Sequence, residues 1–259
     1  HYMIDEWNPD EEFNVMIFQK RVKEIMEDIY NRGKIPILVG GTGFYIQAVL
    51  NDIAFTKEKQ GDEIRADLQN LAKEKGASYL HHELQKVDKE SAEAIHPNNI
   101  KRVIRALEYF QSTGQKFSDH NKEERQKGSP YNFLYLVLTM NREVLYERID
   151  KRVDQMMEEG LVKEVKELLD AGYSRNLVSM QGLGYKEIAS ALFKECTMEE
   201  AVYRLKRDTR HFAKRQMTWF RRERDVTMID KDNFLNNHEI VNYIMKLAAE
   251  KGICSCREG

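Results

Sequence analysis

From Arg204 to Arg222 basic residues recur and the only acid is Asp208. At about 100° per residue, Val202, Leu205, Ala213, Met217 and Phe220 fall on one face of a helix. Arg207, Arg210, Lys214 and Arg221 fall on a second face, and Arg204, His211, Arg215 and Arg222 form a neighbouring stripe. Such a helix anchors to a core and presents cations elsewhere. Its favoured chemistry is contact with a polyanion, because the planar guanidinium fork donates two parallel hydrogen bonds to a phosphate. A solvated charged face is the alternative, and alternating signs would have favoured it.

Three other segments could touch a ligand. Lys101-Arg102-Val103-Ile104-Arg105 opens a predicted helix, whose first backbone N–H groups suit phosphate, although the same cations also suit water. Gly40-Gly41-Thr42-Gly43 follows an apolar run and permits close backbone approach to a ligand, or simply makes a tight turn. It is not a phosphate loop, because no Gly-Lys-Ser/Thr occurs anywhere in the sequence. Ser179-Met180-Gln181-Gly182-Leu183-Gly184-Tyr185-Lys186-Glu187 offers two glycines, an amide and an aromatic ring. Those could hold a splayed base by stacking and edge hydrogen bonds, or only start a helix. His81, His82 and His96 lack well-spaced acids and read as surface or capping residues, so no metal ligands are expected.

The elements that position these residues follow from periodicity. Apolar positions from Val15 to Ile29 predict a helix over residues 14–32, stopped by Gly33. Ile35-Pro36-Ile37-Leu38-Val39 reads as a buried strand, then the glycine turn and a helix from Phe44 to Leu50, the order of a parallel α/β sheet. Residues 56–129 are charged and helical in pattern, with helices near 62–75, 77–86, 89–95 and 98–113, the last capped by asparagine after His96-Pro97. Residues 121–127 read as a solvated linker. The strand Phe133–Leu138 returns the chain to the sheet, with helices near 142–159, 161–171, 184–194 and 198–222. A short strand at 226–229 and a closing helix at 237–251 complete it. The predicted division is an α/β core of residues 1–55 and 130–259 carrying a helical insert at 56–129.

Composition narrows the class. The 259 residues are 41% hydrophobic and 32% charged with a formal net charge of −2, which describes a globular chain rather than a polycation; a basic patch is still compatible with that sum. No apolar run approaches the roughly 20 residues of a membrane helix, and no signal peptide is visible, so a cytoplasmic protein is expected. Three cysteines, Cys196, Cys254 and Cys256, are too few and too odd for a disulfide framework, and the Cys254-Ser255-Cys256 end reads as an inert tail.

Five segments, in order, resemble the tRNA dimethylallyltransferase (isopentenyltransferase) family. They are Val39 to Tyr45, Ile95 to Asn99, Arg102 to Glu108, Gly182 to Glu187 and Ala213 to Phe220. The resemblance implies a P-loop-kinase-like parallel-sheet core with a helical insertion domain that grips the tRNA anticodon stem-loop. It implies transfer of a dimethylallyl group from dimethylallyl diphosphate to N6 of the adenosine 3′ of the anticodon, with the base flipped out of its stack. By the same resemblance, Arg210 holds the diphosphate leaving group. Thr42, Arg65, Lys101, Arg102, Val103, Ile104, Arg105, Gln181, Gly182, Leu183, Gly184, Tyr185 and Lys186 contact tRNA. The family's first strand, its phosphate loop with the hydroxyl that helps to hold Mg²⁺, and its Asp-Ser general-base motif have no counterpart from His1 onward. The chain therefore reads as N-terminally truncated and inactive alone; a monomer is simply the plainest expectation, since oligomeric state is not readable from the sequence. A nucleotide-binding phosphotransferase and a non-catalytic RNA-binding fragment are the competing expectations.

Overall fold

The computed structural model describes residues 1–55 and 61–254. Its helices and strands are, in order, α1 (Val15–Asn31), α2 (Gly43–Leu50), α3 (Gly61–Lys75), α4 (Ala77–Val87), α5 (Lys89–Ala94), α6 (Ile100–Thr113), α7 (Phe117–Gln126), β1 (Tyr135–Thr139), α8 (Arg142–Glu158), α9 (Leu161–Asp170), α10 (Tyr185–Leu192), α11 (Met198–Phe220), β2 (Val226–Asp230) and α12 (Asn237–Glu250). The fold is mostly helical with one small parallel sheet. No described helix is long and apolar enough to cross a membrane.

Side-chain caps set many of the boundaries. The Asn14 side chain accepts from the N–H groups of Met16 and Ile17 at 2.9 and 3.1 Å, and Asn141 does the same for Glu143 and Val144. Thr197 and Glu200 form a reciprocal capping box at the start of α11. Gly114 ends α6 at φ 70, a left-handed conformation that glycine adopts without a Cβ clash.

Two compact units account for the chain, His1–Ile46 with Tyr131–Gly259, and Gln47–Pro130. In the first, β1 and β2 pair in parallel, Tyr135 opposite Val226 through Thr139 opposite Asp230. Parallel neighbours need a crossover, and α8 to α11 supply it. Val153, Leu161, Val165, Met180, Ile188, Ala189 and Leu205 form the core of that crossover.

In the second unit Leu68, Leu80, Leu84, Val103, Ile104 and Leu107 are buried together by α3, α4 and α6. Asp88 is fully buried beside them, and its carboxylate accepts four hydrogen bonds. They come from the N–H and hydroxyl of Ser91 at 3.0 and 2.6 Å and of Ser118 at 2.8 Å each. Burial alone would raise its pKa, but the bonds from Ser91 and Ser118 outweigh burial and hold it below the ordinary aspartate range. Asp88→Asn should cost about 3 kcal/mol, since an amide nitrogen would face serine donors. A depressed folded pKa contributes stability above the unfolded value and loses it as pH falls through the folded one. The gap between wild type and variant in denaturant titrations should thus be full above about pH 4 and close at lower pH.

Four expectations are corrected. Residues 35–39 form no strand, with Ile37 83% and Val39 87% exposed. A strand needs a neighbour for its N–H and C=O groups, and among the described residues only β1 and β2 pair. The sheet is correspondingly smaller than the expected α/β core. Residues 121–127, read as a linker, lie largely in α7, where Lys122 pairs with Glu90 at 2.5 Å and Glu124 is buried. Asn99 occupies the cap position of α6, but its side chain makes no capping bond. The expected insert boundary at residue 56 and the end of the Cys256 tail lie outside the described residues; Cys196 and Cys254 are free thiols.

Candidate nucleic-acid interface

The α11 helix presents its apolar and basic faces much as its periodicity requires, with Ala201, Leu205 and Phe220 buried. Two of its cations are nevertheless taken up by α8. Lys206 pairs with Asp154 at 2.6 Å and Arg210 with Asp150 at 2.5 Å, so the two helices run antiparallel. Arg207 pairs with its neighbour Asp208 at 2.8 Å. Among the described residues, no carboxylate pairs with Arg204, Lys214, Arg221 or Arg222. The stripe is therefore less basic beside α8 than its own sequence suggests, and the surplus charge sits elsewhere along the helix. The missed signal was Asp150 and Asp154, two acids four residues apart on α8.

The glycine turn lies against the same helix. The Gln216 side-chain amide donates to the Gly41 carbonyl at 2.8 Å, and the Trp219 indole covers Gly43. A Cβ on Gly43 would fall 2.2 Å from the indole ring, and one on Gly41 would fall 2.0 Å from Gln216 Nε2. The glycines are thus demanded by close approach to α11. Thr42, exposed between them, accepts the N–H groups of Tyr45 and Ile46 through its carbonyl and starts α2. This holds Thr42 next to α11.

The loop before α10 divides into two parts. Gln181 Nε2 donates to the Arg175 carbonyl at 2.7 Å, and Gln181 and Lys186 line a cleft of about 280 Å³ with Arg175, Glu187, Arg204 and Asp208. Leu183 and Tyr185 instead pack against the core. The aromatic ring expected to stack on a base is thereby half-buried, and its hydroxyl donates to Glu164. Burial first, and Glu164 second, push the Tyr185 pKa up to about 12. Gly184, at φ 98, gives its N–H to the buried Glu187 carboxylate at 2.9 Å, and Gly182 precedes it in the turn. Lys186 lies 3.4 Å from Glu187 Oε1, an ion pair without hydrogen-bond geometry.

In the second unit the expected contact residues separate by depth. Val103 and Ile104 are buried core residues of α6, so their side chains cannot meet RNA. Lys101 and Arg102 are exposed on the first turn. Arg105 and Arg65, on α6 and α3, both reach the buried carboxylate of Glu108. Sequence reasoning passed over Glu108, which the helical pattern places beside Lys101, Arg105 and Ser112 at the polar edge of α6, so that nothing local signals its burial. Of the histidines, His81 Nε2 lies 2.9 Å from the carbonyls of Ala92 and Ile95, whereas His82 and His96 are exposed. No group of three or more His, Cys, Asp or Glu among the described residues is placed to hold a metal ion.

Residues 1–223 match the family profile described as IPP transferase, and the chain belongs to that family. Among curated relatives, it is similar to the tRNA dimethylallyltransferases of Lachnoclostridium phytofermentans, at 56% identity, and Acetivibrio thermocellus, at 47%. Each alignment covers 98% of this chain and 81% of the relative. Among solved structures, it is similar to the full-length tRNA isopentenylpyrophosphate transferase of Bacillus halodurans, with a TM-score of 0.68 and 42% identity over 97% of this chain and 79% of that one. A eukaryotic dimethylallyltransferase acting on tRNA gives a TM-score of 0.75 at 28% identity, over 94% of this chain and 65% of that one.

Proposed function

We propose that this chain acts in the transfer of a dimethylallyl group from dimethylallyl diphosphate to N6 of the adenosine 3′ of the tRNA anticodon. The observation that carries this is 56% identity to a tRNA dimethylallyltransferase across 98% of the chain. The core formed by the first unit is of the P-loop-kinase type, and the helices of residues 56–129 act as the insert that grips the anticodon stem-loop. The protein works as a cytoplasmic monomer.

In the reaction, N6 attacks C1 of the allylic group, the C–O bond breaks with its electron pair going to the diphosphate oxygen, and N6 loses a proton to a base. Negative charge grows on the diphosphate, and a guanidinium already in place stabilises it without reorganising. Arg210 is the group assigned to that role, tethered at one nitrogen by Asp150. Thr42, backed by Gln216 and Trp219, contacts the target nucleotide, and Gln181, Gly182, Gly184 and Lys186 contact the RNA from the loop. Mg²⁺ belongs to the family's chemistry by resemblance, but the described residues offer no ligand set for it, and no step here is routed through it.

The test is the binding of an anticodon stem-loop bearing the target adenosine, compared with one in which that adenosine is replaced. Tighter binding of the adenosine loop is the expected result. Equal binding governed by salt alone would leave only generic basic faces and defeat the proposal. Arg102→Ala should weaken binding to both loops equally and lower the slope of log K against log salt by about 1, as loss of one phosphate contact does.

A further inference from the structure

Glu108 sits in α6 at 1% exposure, amid the core of the second unit. A buried carboxylate is a poor choice for packing, because an apolar residue of similar volume often does as well or better. Its company suggests another use. Arg65 approaches from α3, with Nη2 2.7 Å from Oε1 and Nε 3.3 Å from Oε2, so the fork engages both oxygens. Arg105, one turn before Glu108 on α6, places Nη1 3.2 Å from Oε1. Two guanidinium groups from different helices thus share one oxygen, yet their side chains remain 44% and 42% exposed. The carboxylate offsets their mutual repulsion and fixes both rotamers.

We propose that Glu108 is a positioning residue that holds Arg65 and Arg105 as a preformed two-guanidinium clamp for the RNA backbone. The inference rests on the proposed RNA-binding function. The ligand chemistry is a phosphodiester, which two fixed planar forks engage with geometric selectivity that mobile lysines lack. Fixing the forks before binding also removes the rotamer entropy that two free arginines would lose on contact.

A charge-neutralising substitution separates positioning from simple electrostatics by sign. Glu108→Gln adds one net positive charge, so a generic basic patch would bind an anticodon stem-loop more tightly. A clamp that has lost its anchor binds it about 10-fold more weakly, with the chain still folded by circular dichroism. Arg65→Lys and Arg105→Lys keep the charge and the fold but lose the fork, and each is expected to weaken binding several-fold with little change in salt slope. These two variants decide the matter if Glu108→Gln does not fold. Wild-type affinity in both lysine variants, or tighter binding by folded Glu108→Gln, overturns the clamp. The Arg65→Ala/Arg105→Ala double variant separates the two levels. If it binds as wild type, RNA does not use this patch at all; if it binds weakly while Glu108→Gln does not, only the positioning role fails.

Discussion

Gly43→Ala is expected to destabilise the first unit by about 3 kcal/mol, near the top of the range for overpacking, and to weaken binding of the anticodon stem-loop with it. The added Cβ would fall 2.2 Å from both Cδ1 and Nε1 of Trp219 and 2.9 Å from Cε2. An indole is rigid, so relief must come from moving either α11 or the start of α2, and Thr42 lies at that junction. A loss of this size lowers the unfolding midpoint of a domain of this size by roughly 6–12 °C. Gly41→Ala offers a graded comparison. Its Cβ meets only the amide end of Gln216, which can swing away at the cost of one hydrogen bond, about 1 kcal/mol. Trimming the indole gives the decisive control. Trp219→Leu makes room, so Gly43→Ala should cost less in that background than in wild type, a coupling readable as a double-mutant cycle in thermal melts. Additive losses would show that the two residues do not press on each other.

That contact illustrates which parts of the molecule can be read from the sequence. The helices of α1, α8, α11 and α12 are legible because a polar cap, Asn14, Asn141, Thr197 or Asn236, stands directly before an apolar stripe of period 3.6. Those are local signals, separated by no more than a few residues. Gly41 and Gly43 are recognisable as a turn, but their reason lies about 175 residues away in Gln216 and Trp219. A separation of 60 residues between Asp150 and Arg210 likewise hides the acids of α8 from a helical wheel drawn on α11 alone. Charge compensation is a tertiary property, and a stripe that looks unopposed can be partly neutralised by the next helix.

Burial is the other property that periodicity leaves undecided. Ile35-Pro36-Ile37-Leu38-Val39 has the composition of a covered strand, but composition says what a segment tolerates, not what stands beside it. Val103 and Ile104 show the reverse case. A run of five residues taken as one contact surface must, on a helix, turn about 400°, so part of it faces the core whatever the ligand. The separation into exposed Lys101 and Arg102, buried Val103 and Ile104, and half-buried Arg105 follows directly.

Arg210→Ala should weaken capture of dimethylallyl diphosphate by about 10- to 100-fold, as loss of one hydrogen bond to a charged group implies, while leaving stem-loop affinity within about threefold. The separation follows from the helix. Arg210 is pinned to α8 by Asp150 with its side chain only 24% exposed, whereas Lys214, Arg221 and Arg222 point charge outward without a carboxylate partner among the described residues. One interaction of a guanidinium with a carboxylate occupies one of five N–H donors, so the tether fixes direction and leaves donors for the diphosphate. Arg210→Lys keeps the charge but gives a point donor in place of a fork, and an intermediate loss is expected. Asp150→Asn removes the tether's charge but leaves Arg210 in place, so it should cost less than Arg210→Ala. Calorimetric titration with dimethylallyl diphosphate in the presence of saturating stem-loop checks all three. If Arg210→Ala instead weakens the RNA and leaves the diphosphate untouched, the residue belongs to the phosphate-binding face of α11 and the leaving group is held elsewhere.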